Sequence, residues 1–504
     1  AQQPASPTET VTWEALTFEN IPPDVIARVK KSFEHPDALD AHDPFENLIQ
    51  RIDPYYRASN TNRFRGWDPR NDGIFTISRA GIPGLPRQLF ALDKPLGDKQ
   101  LLTQDPYSPN IVTVRPNPLS KPGRRGLLIE RPVSSPQGTE REQHIFYLRL
   151  PPYPHTPDTF LPTQVNLTAS EKVDESNFYP LWSNSGDHFA FLRRRGSERH
   201  LWISSPEHPE AARPILQKEG YWVAPLDWSA DDEEILTWLW VSESESYLYT
   251  VNVNGEPAEP QLLDLFGDGN QVIAPVNFGN TGALFSRRPL PKNRLGIYLT
   301  ANRYSDFLQL MYYELDRETG DSTLKVVTEE LPWDVEVFAL SPNGNFLVYT
   351  SNQHGYSVLK LLKIMVDAKG DTTWGEISLP ELPLAVILVA GFSADEKRLA
   401  VELNAHVQGG RDVVMLDLHN LDNITVEQWT RADWEDLDIS TLASPEWFEF
   451  GSYKTADGST KQIPAFIYRP KTKPPDDDPD QRPEPIPVII DIHGGPAAMS
   501  RPTY

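Results

Sequence analysis

The sequence predicts an all-β fold, a β-propeller of seven blades that runs into the first strands of a second, α/β domain. Three observations carry this expectation. Beyond residue 60 the long helical periodicity disappears, and short β-rich runs broken by Asp, Asn, Gly and Pro replace it. One turn phrase recurs at blade-like intervals. Near Trp447 the texture changes, and a near-continuous apolar run at 486–492 follows, of the kind found in parallel sheets.

The bulk numbers bound the rest. A chain of 504 residues exceeds one ordinary core, so it calls for two domains or a repeat architecture with part of another. Seventy-one acidic residues stand against 47 basic ones, and the net charge of -24 argues against nucleic acid and anionic membranes as partners. Cysteine is absent, which excludes disulfides, thiolate metal sites and cysteine nucleophiles. The start AQQPASPTET is polar and lacks Met, as after removal of a signal peptide, so export to the periplasm or medium is expected, with a cytoplasmic location as the alternative. No apolar run reaches the roughly 20 residues of a membrane span.

In chain order, residues 1–20 read as a flexible segment. Residues 21–59 read as a short helix and an extended stretch, because Val25, Ile26, Val29 and Phe33 share one helical face behind Pro23 and Asp24. The propeller is expected over 60–440. Its phrase is an aromatic or Leu, a Ser or Asp, a polar turn, and then four to six strand-formers. Strong copies begin at Leu181, Asp227, Leu340 and Phe392, and weaker ones at Trp67, Arg115 and Asn277. Asp and Asn suit such a turn by bonding their own backbone, and Gly supplies positive φ. Anchored on Trp67, Pro116, Trp182, Trp228, Phe278, Ser341 and Ser393, the copies lie roughly 46 to 66 residues apart. A second β run follows most of them, as at 199–203, 246–251 and 412–417, so each unit supplies about four strands. A propeller packs such sheets face to face. A set of β-sandwiches is the alternative, but it lacks a repeated four-strand phrase. Trp182, Trp202, Trp222, Trp228, Trp238 and Trp240 recur with the blades and read as packing between them.

Residues 441–504 read as the incomplete start of the second domain. A hairpin is expected from 447–454 and 461–469 around a turn at Ala456, Asp457, Gly458 and Ser459. The stretch after it is too rich in Pro and Asp to pack. Asp476, Asp477, Asp478 and Asp480 lack the ligand spacing of a calcium loop, which leaves a solvated loop. Then IPVIIDI leads into His493, Gly494, Gly495 and Pro496.

Taken together, the WSxDG-like turns, the hairpin with TADGSTKQIPAFIYRP and the strand ending in IDIHGGP resemble the prolyl oligopeptidase family of serine peptidases, in its branch of acylaminoacyl and dipeptidyl peptidases. The resemblance runs from about Pro22 to Tyr504. It implies a propeller covering a C-terminal α/β-hydrolase domain, peptide substrates admitted past the propeller, and cleavage by a Ser-Asp-His triad. It also implies that His493, Gly494, Gly495 and Pro496 form the oxyanion loop. Prolyl oligopeptidases and dipeptidyl peptidases carry Tyr where His493 stands, whereas the acylaminoacyl branch carries His. Hydroxyl assistance is thus replaced here by backbone donation, with His493 orienting the loop.

The chemistry visible in the residues is limited. A nucleophile elbow reads G-x-S-x-G, and none occurs in the 504 residues. No catalytic residue is assigned in this chain, and the triad is expected after Tyr504. His200, His354 and His406 stand alone without partners at metal-ligand spacing, and His188 follows Asp187 in a blade turn and reads as solvent-facing, so no metal and no cofactor is expected. Glu243, Ser244 and Glu245, and likewise Asp334, Val335 and Glu336, read as solvated blade edges rather than substrate grips. The expected partners are peptide substrates and the rest of the hydrolase, in the same or a companion chain, with homo-oligomerisation open. A stand-alone propeller serving as a binding module is the alternative function.

Overall fold

The computed structural model describes residues 61–503, apart from 79–86, 104–112, 117–125, 135–140, 151–161, 170–173, 243–244, 266–281, 406–409, 470–487, 495–498 and shorter interruptions. The helix expected within 21–59 and the acidic loop at Asp476–480 lie outside the described residues. The chain divides into two compact units, and the larger, Asn60–Asp433 with Ile439–Tyr504, holds every element considered below.

Seven four-stranded antiparallel sheets follow one another, each made of strands consecutive in sequence. They are blade one (β1–β4, 63–101), two (β5–β8, 113–166), three (β9–β12, 175–216), four (β13–β16, 221–262), five (β17–β20, 283–326), six (β21–β24, 335–377) and seven (β25–β28, 386–428). A two-stranded hairpin, β29 (Pro445–Lys454) and β30 (Thr460–Tyr468), completes the described strands. The architecture is a seven-bladed β-propeller.

Strand alternation explains why the blades stack. In β10 (Phe189–Arg195), Phe189 and Phe191 join a cluster with Leu128, Ile145 and Tyr147 of blade two. The intervening Ala190 and Leu192 join one with Trp222, Trp228 and Ile235 of blade four. Successive side chains point to opposite faces, so an apolar strand of this kind is stable only with a sheet on each side. The core is accordingly divided into seven clusters, one for each pair of neighbouring blades.

Blade seven closes on blade one. Phe64, Ile74 and Leu92 pack against Ala400, Val413 and Met415. The Asn62 amide donates to Arg411 O (2.8 Å), and Phe64 N donates to the buried Glu402 carboxylate (2.8 Å). Trp67 Nε1 donates to Gly391 O (3.1 Å), as Trp228 Nε1 of blade four does to Leu181 O of blade three (3.2 Å). Trp182, Trp222, Trp228 and Trp238 are all buried, so the tryptophans serve packing as the sequence suggested.

The recurring phrase is a turn built on a buried serine. Ser183, Ser229, Ser341 and Ser393 each follow the first strand of a blade, and each donates its N–H to the carbonyl five residues on at 2.9 Å. Each Oγ accepts the N–H of that same residue, at 2.9–3.2 Å. The residue three after the serine has positive φ. Gly186 and Gly344 fill it in blades three and six, and Asp232 (58°) and Glu396 (60°) in blades four and seven.

A left-handed non-glycine costs about 1–2 kcal/mol, and here the carboxylates gain bonds to the preceding blade. Asp232 accepts from the Asn184 and Ser185 amides (2.7 and 2.8 Å), and Glu396 from Asn343 N (2.7 Å) and Asn345 Nδ2 (2.6 Å).

One copy of the phrase was misphased. The stretch from Asn277 reads as turn then second strand, but Ala283–Phe285 is the first strand of blade five, and 277–281 lies outside the described residues. The true turn follows Phe285. There Ser286 N reaches Gly296 O (2.8 Å), ten residues on, in place of the five-residue closure of the other turns.

Candidate functional site

Antiparallel order puts the serine turns on one face of the propeller and the second-to-third strand turns on the other. The second face of blade six carries the site. Its hairpin joins β22 (Phe346–Gln353) to β23 (Tyr356–Val366) through His354 and Gly355 alone. Both have positive φ (52° and 82°), the geometry that matches strand twist in a two-residue turn. Asn352 Oδ1 fixes the turn by accepting Gly355 N (3.1 Å).

Three elements of the C-terminal region gather on this turn. The β29–β30 hairpin pairs Trp447 with Phe466 across its strands and sets both rings on blade six. Trp447 meets His354 edge-on at 4.9 Å, His354 meets Trp333 at 4.8 Å, and Phe466 meets Tyr356 at 6.0 Å. Gly355 is buried beneath them, and a Cβ there would lie 2.6 Å from the Phe466 ring and 3.4 Å from Pro502. Only glycine satisfies both the turn and this close approach.

Arg501 makes the most extensive polar contact. Its guanidinium donates to both oxygens of Glu336 at 2.6 Å, to Gly355 O at 2.9 Å and to Ser357 Oγ at 3.1 Å. The two charged side chains are only 15 and 17% exposed. Burial pushes the Glu336 carboxyl above its ordinary range, and the adjacent Arg501 guanidinium draws it back only in part. Ser357 also accepts Ile387 N of blade seven (2.9 Å), so the pocket spans the six–seven boundary. A planar fork with several donors suits this arrangement, and lysine would not.

Glu336 therefore departs from the solvated-edge reading. It lies in β21 (Val335–Leu340), the first strand of blade six, and is held by a residue 165 positions away. Asp334 binds Leu308 N (2.7 Å), and Glu245 binds Tyr247 OH (2.6 Å), while Glu243 and Ser244 lie outside the described residues. The histidines read as standing alone without metal partners include His354, which the structure places in the aromatic contact. Its two-residue His-Gly turn between alternating strands was readable, but its partners were not.

The oxyanion-loop residues are only partly described. His493 Nδ1 lies 2.8 Å from Gly494 O, and both residues are exposed, whereas Gly495 and Pro496 lie outside the described residues. The run before them differs from expectation. Val488, Ile489, Ile490 and Ile492 are 79–93% exposed and form no strand, because no described strand lies alongside to pair and cover them. The β29–β30 hairpin agrees with the sequence reading. Its turn is closed by Thr455 N to Ser459 O (2.9 Å), and hydrogen bonds from Thr455 and Ser459 hold the Asp457 carboxyl down at about 2.

A cavity of about 380 Å³ between blades three and four, lined in part by His188, Ser204, His208, Arg213 and Asp232, has less chemistry to offer. Arg213 donates to the Val253 and Gly255 carbonyls, and Asp232 is saturated by blade three. Among the described residues no cluster of three acidic or histidine side chains could hold a metal, and no helix is long and apolar enough to cross a membrane.

No family model and no curated protein matches the chain. Solved structures do. One of a pair of prolyl endopeptidases studied for inter-domain dynamics superposes with a TM-score of 0.57 at 13% identity, over 89% of this chain and 60% of that one. Prolyl oligopeptidase B from Galerina marginata, bound to a 35mer substrate, gives 0.57 at 13%, over 88 and 59%. A puromycin-hydrolyzing peptidase from Mycobacterium tuberculosis gives 0.56 at 13%, over 82 and 58%. The chain thus spans about 60% of the length of these peptidases and shares their propeller-bearing fold.

Proposed function

We propose that this chain is the propeller portion of a serine peptidase of the prolyl oligopeptidase family, which hydrolyses short peptides. The observation that carries the reading is the continuation of the propeller into β29–β30 and the 499–503 segment, both seated on blade six, within a fold shared with prolyl peptidases. The exposed run 488–492 supports it further, since four large aliphatic side chains in water call for a covering sheet. The covering sheet is the remainder of the α/β-hydrolase, which carries the Ser-Asp-His triad beyond Tyr504.

In this reading the strand 488–492 delivers the His493-Gly494-Gly495-Pro496 loop to the scissile carbonyl, and a backbone N–H of that loop faces the developing oxyanion. One such donor contributes about 2.7–4 kcal/mol in another protease. His493, as the tautomer protonated at Nδ1, donates to Gly494 O and orients the loop. The propeller limits access to short peptides.

The reading is tested by incubating the full-length protein with a peptide library, free and blocked at the N-terminus, beside a large folded protein. Cleavage of short peptides with the folded protein spared is expected. Absence of any peptide cleavage would sink the reading in favour of a binding module.

A further inference from the structure

We infer that Arg501 is a positioning residue: seated in the acceptor pocket of blade six, it fixes residues 499–503, a few positions beyond His493 and Gly494, and so couples the loop to the propeller. This inference rests on the peptidase reading above. Three observations support it. The guanidinium makes four bonds to three residues of one blade, which fixes its plane as well as its position. The segment touches the blade at two further points, Met499 Sδ accepting from Asn352 Nδ2 (3.4 Å) and Pro502 beside Gly355. Residues 488–494, by contrast, are exposed and unpaired, so Met499 and Arg501 are the first described side chains after them that the blade holds, and Arg501 is the one held by charge.

The coupling has a limit set by chain geometry. Seven Cα-to-Cα steps separate Gly494 from Arg501, so the anchor holds the loop within about 25 Å of the pocket. Oxyanion donors act in the transition state, and a displacement of about 1 Å can lower the rate 100-fold. Loss of the anchor should therefore act on kcat more than on KM.

The test uses the full-length protein as wild type, R501K, E336Q and the double variant. R501K keeps the charge but cannot reach all three acceptors at once. Hydrogen exchange read by mass spectrometry should be at least about tenfold faster at 488–494 and 499–503 in each variant, with the strands of blade seven unchanged. With active sites titrated by a fluorophosphonate, kcat for a short peptide should fall about tenfold while KM stays within about twofold, and the double variant should be no worse than the singles.

Unchanged exchange, or unchanged kcat per titrated site, would overturn the positioning role while leaving the peptidase reading intact. A wild-type protein that neither labels nor turns over would overturn the peptidase reading and the positioning role with it.

Discussion

The two faces of the propeller use their carboxylates differently. On the serine-turn face, Asp232 and Glu396 bind the turn of the preceding blade, about 50 residues away in sequence, so the same device occurs at the three–four and six–seven boundaries. On the opposite face, Glu336 binds Arg501 from outside the ring, and nothing comparable is described at the other six blades. Repeated contacts hold the ring together. The contact made once marks where the ring meets something else.

The sharpest test of the ring side is Glu402, at the seam between blades seven and one. It is buried, accepts Phe64 N, and lies near Arg65 and Arg411 (4.0 and 3.9 Å), while burial pushes its carboxyl upward against their pull. Glu402→Ala leaves two guanidinium groups and a backbone donor without their partner, so a loss of about 3–5 kcal/mol is expected by urea unfolding. A loss below about 1 kcal/mol would mean that apolar packing alone closes the ring.

Asp412 at the same seam gives a pH signature. Burial outweighs the opposing bonds from Ala432 N, Asn62 and Thr430 and raises its carboxyl to about 6. The folded chain then holds a proton between about pH 4 and 6 that the unfolded chain has released. This contribution to stability is complete below about pH 4 and is lost as the pH rises through 6, a change of about 2–3 kcal/mol. Asp412→Asn should remove it, so the stability of the variant relative to wild type should rise over that window in parallel urea titrations.

On the other face, Gly355→Ala should cost about 2 kcal/mol, combining left-handed strain with the Phe466 clash. Faster hydrogen exchange confined to β29–β30 and the blade-six turn is the expected reading. A uniform acceleration over blades one to seven would erase the distinction between the faces.

The smallest effect belongs to Glu396→Gly. Relief of positive φ gains about 1 kcal/mol and loss of two bonds to Asn343 and Asn345 costs slightly more, for a net loss of up to about 1 kcal/mol by urea unfolding.

Legibility in the sequence followed the same division. The serine turns were readable because their chemistry is local: a Ser, a short polar loop and a residue tolerant of positive φ within six positions. Even Asp232 and Glu396, which break the glycine rule, left the phrase recognisable. Blade five was misphased because no Asp or Gly follows Ser286 before Gly296, and the signal slid to the Asn-Gly stretch before it. Glu336 looked solvated because its partner lies 165 residues on, and no local pattern encodes a salt bridge of that span. For the same reason the HGGP motif could be named from its neighbours, whereas the anchor at Arg501 emerged only in three dimensions.

The proposed peptidase function requires a serine nucleophile carried outside these 504 residues. Labelling the full-length protein with a fluorophosphonate and mapping the modified peptide tests it most directly. The account predicts a single labelled serine C-terminal to Tyr504, in a G-x-S-x-G context. A labelled serine within residues 1–504, or none at all, would contradict it.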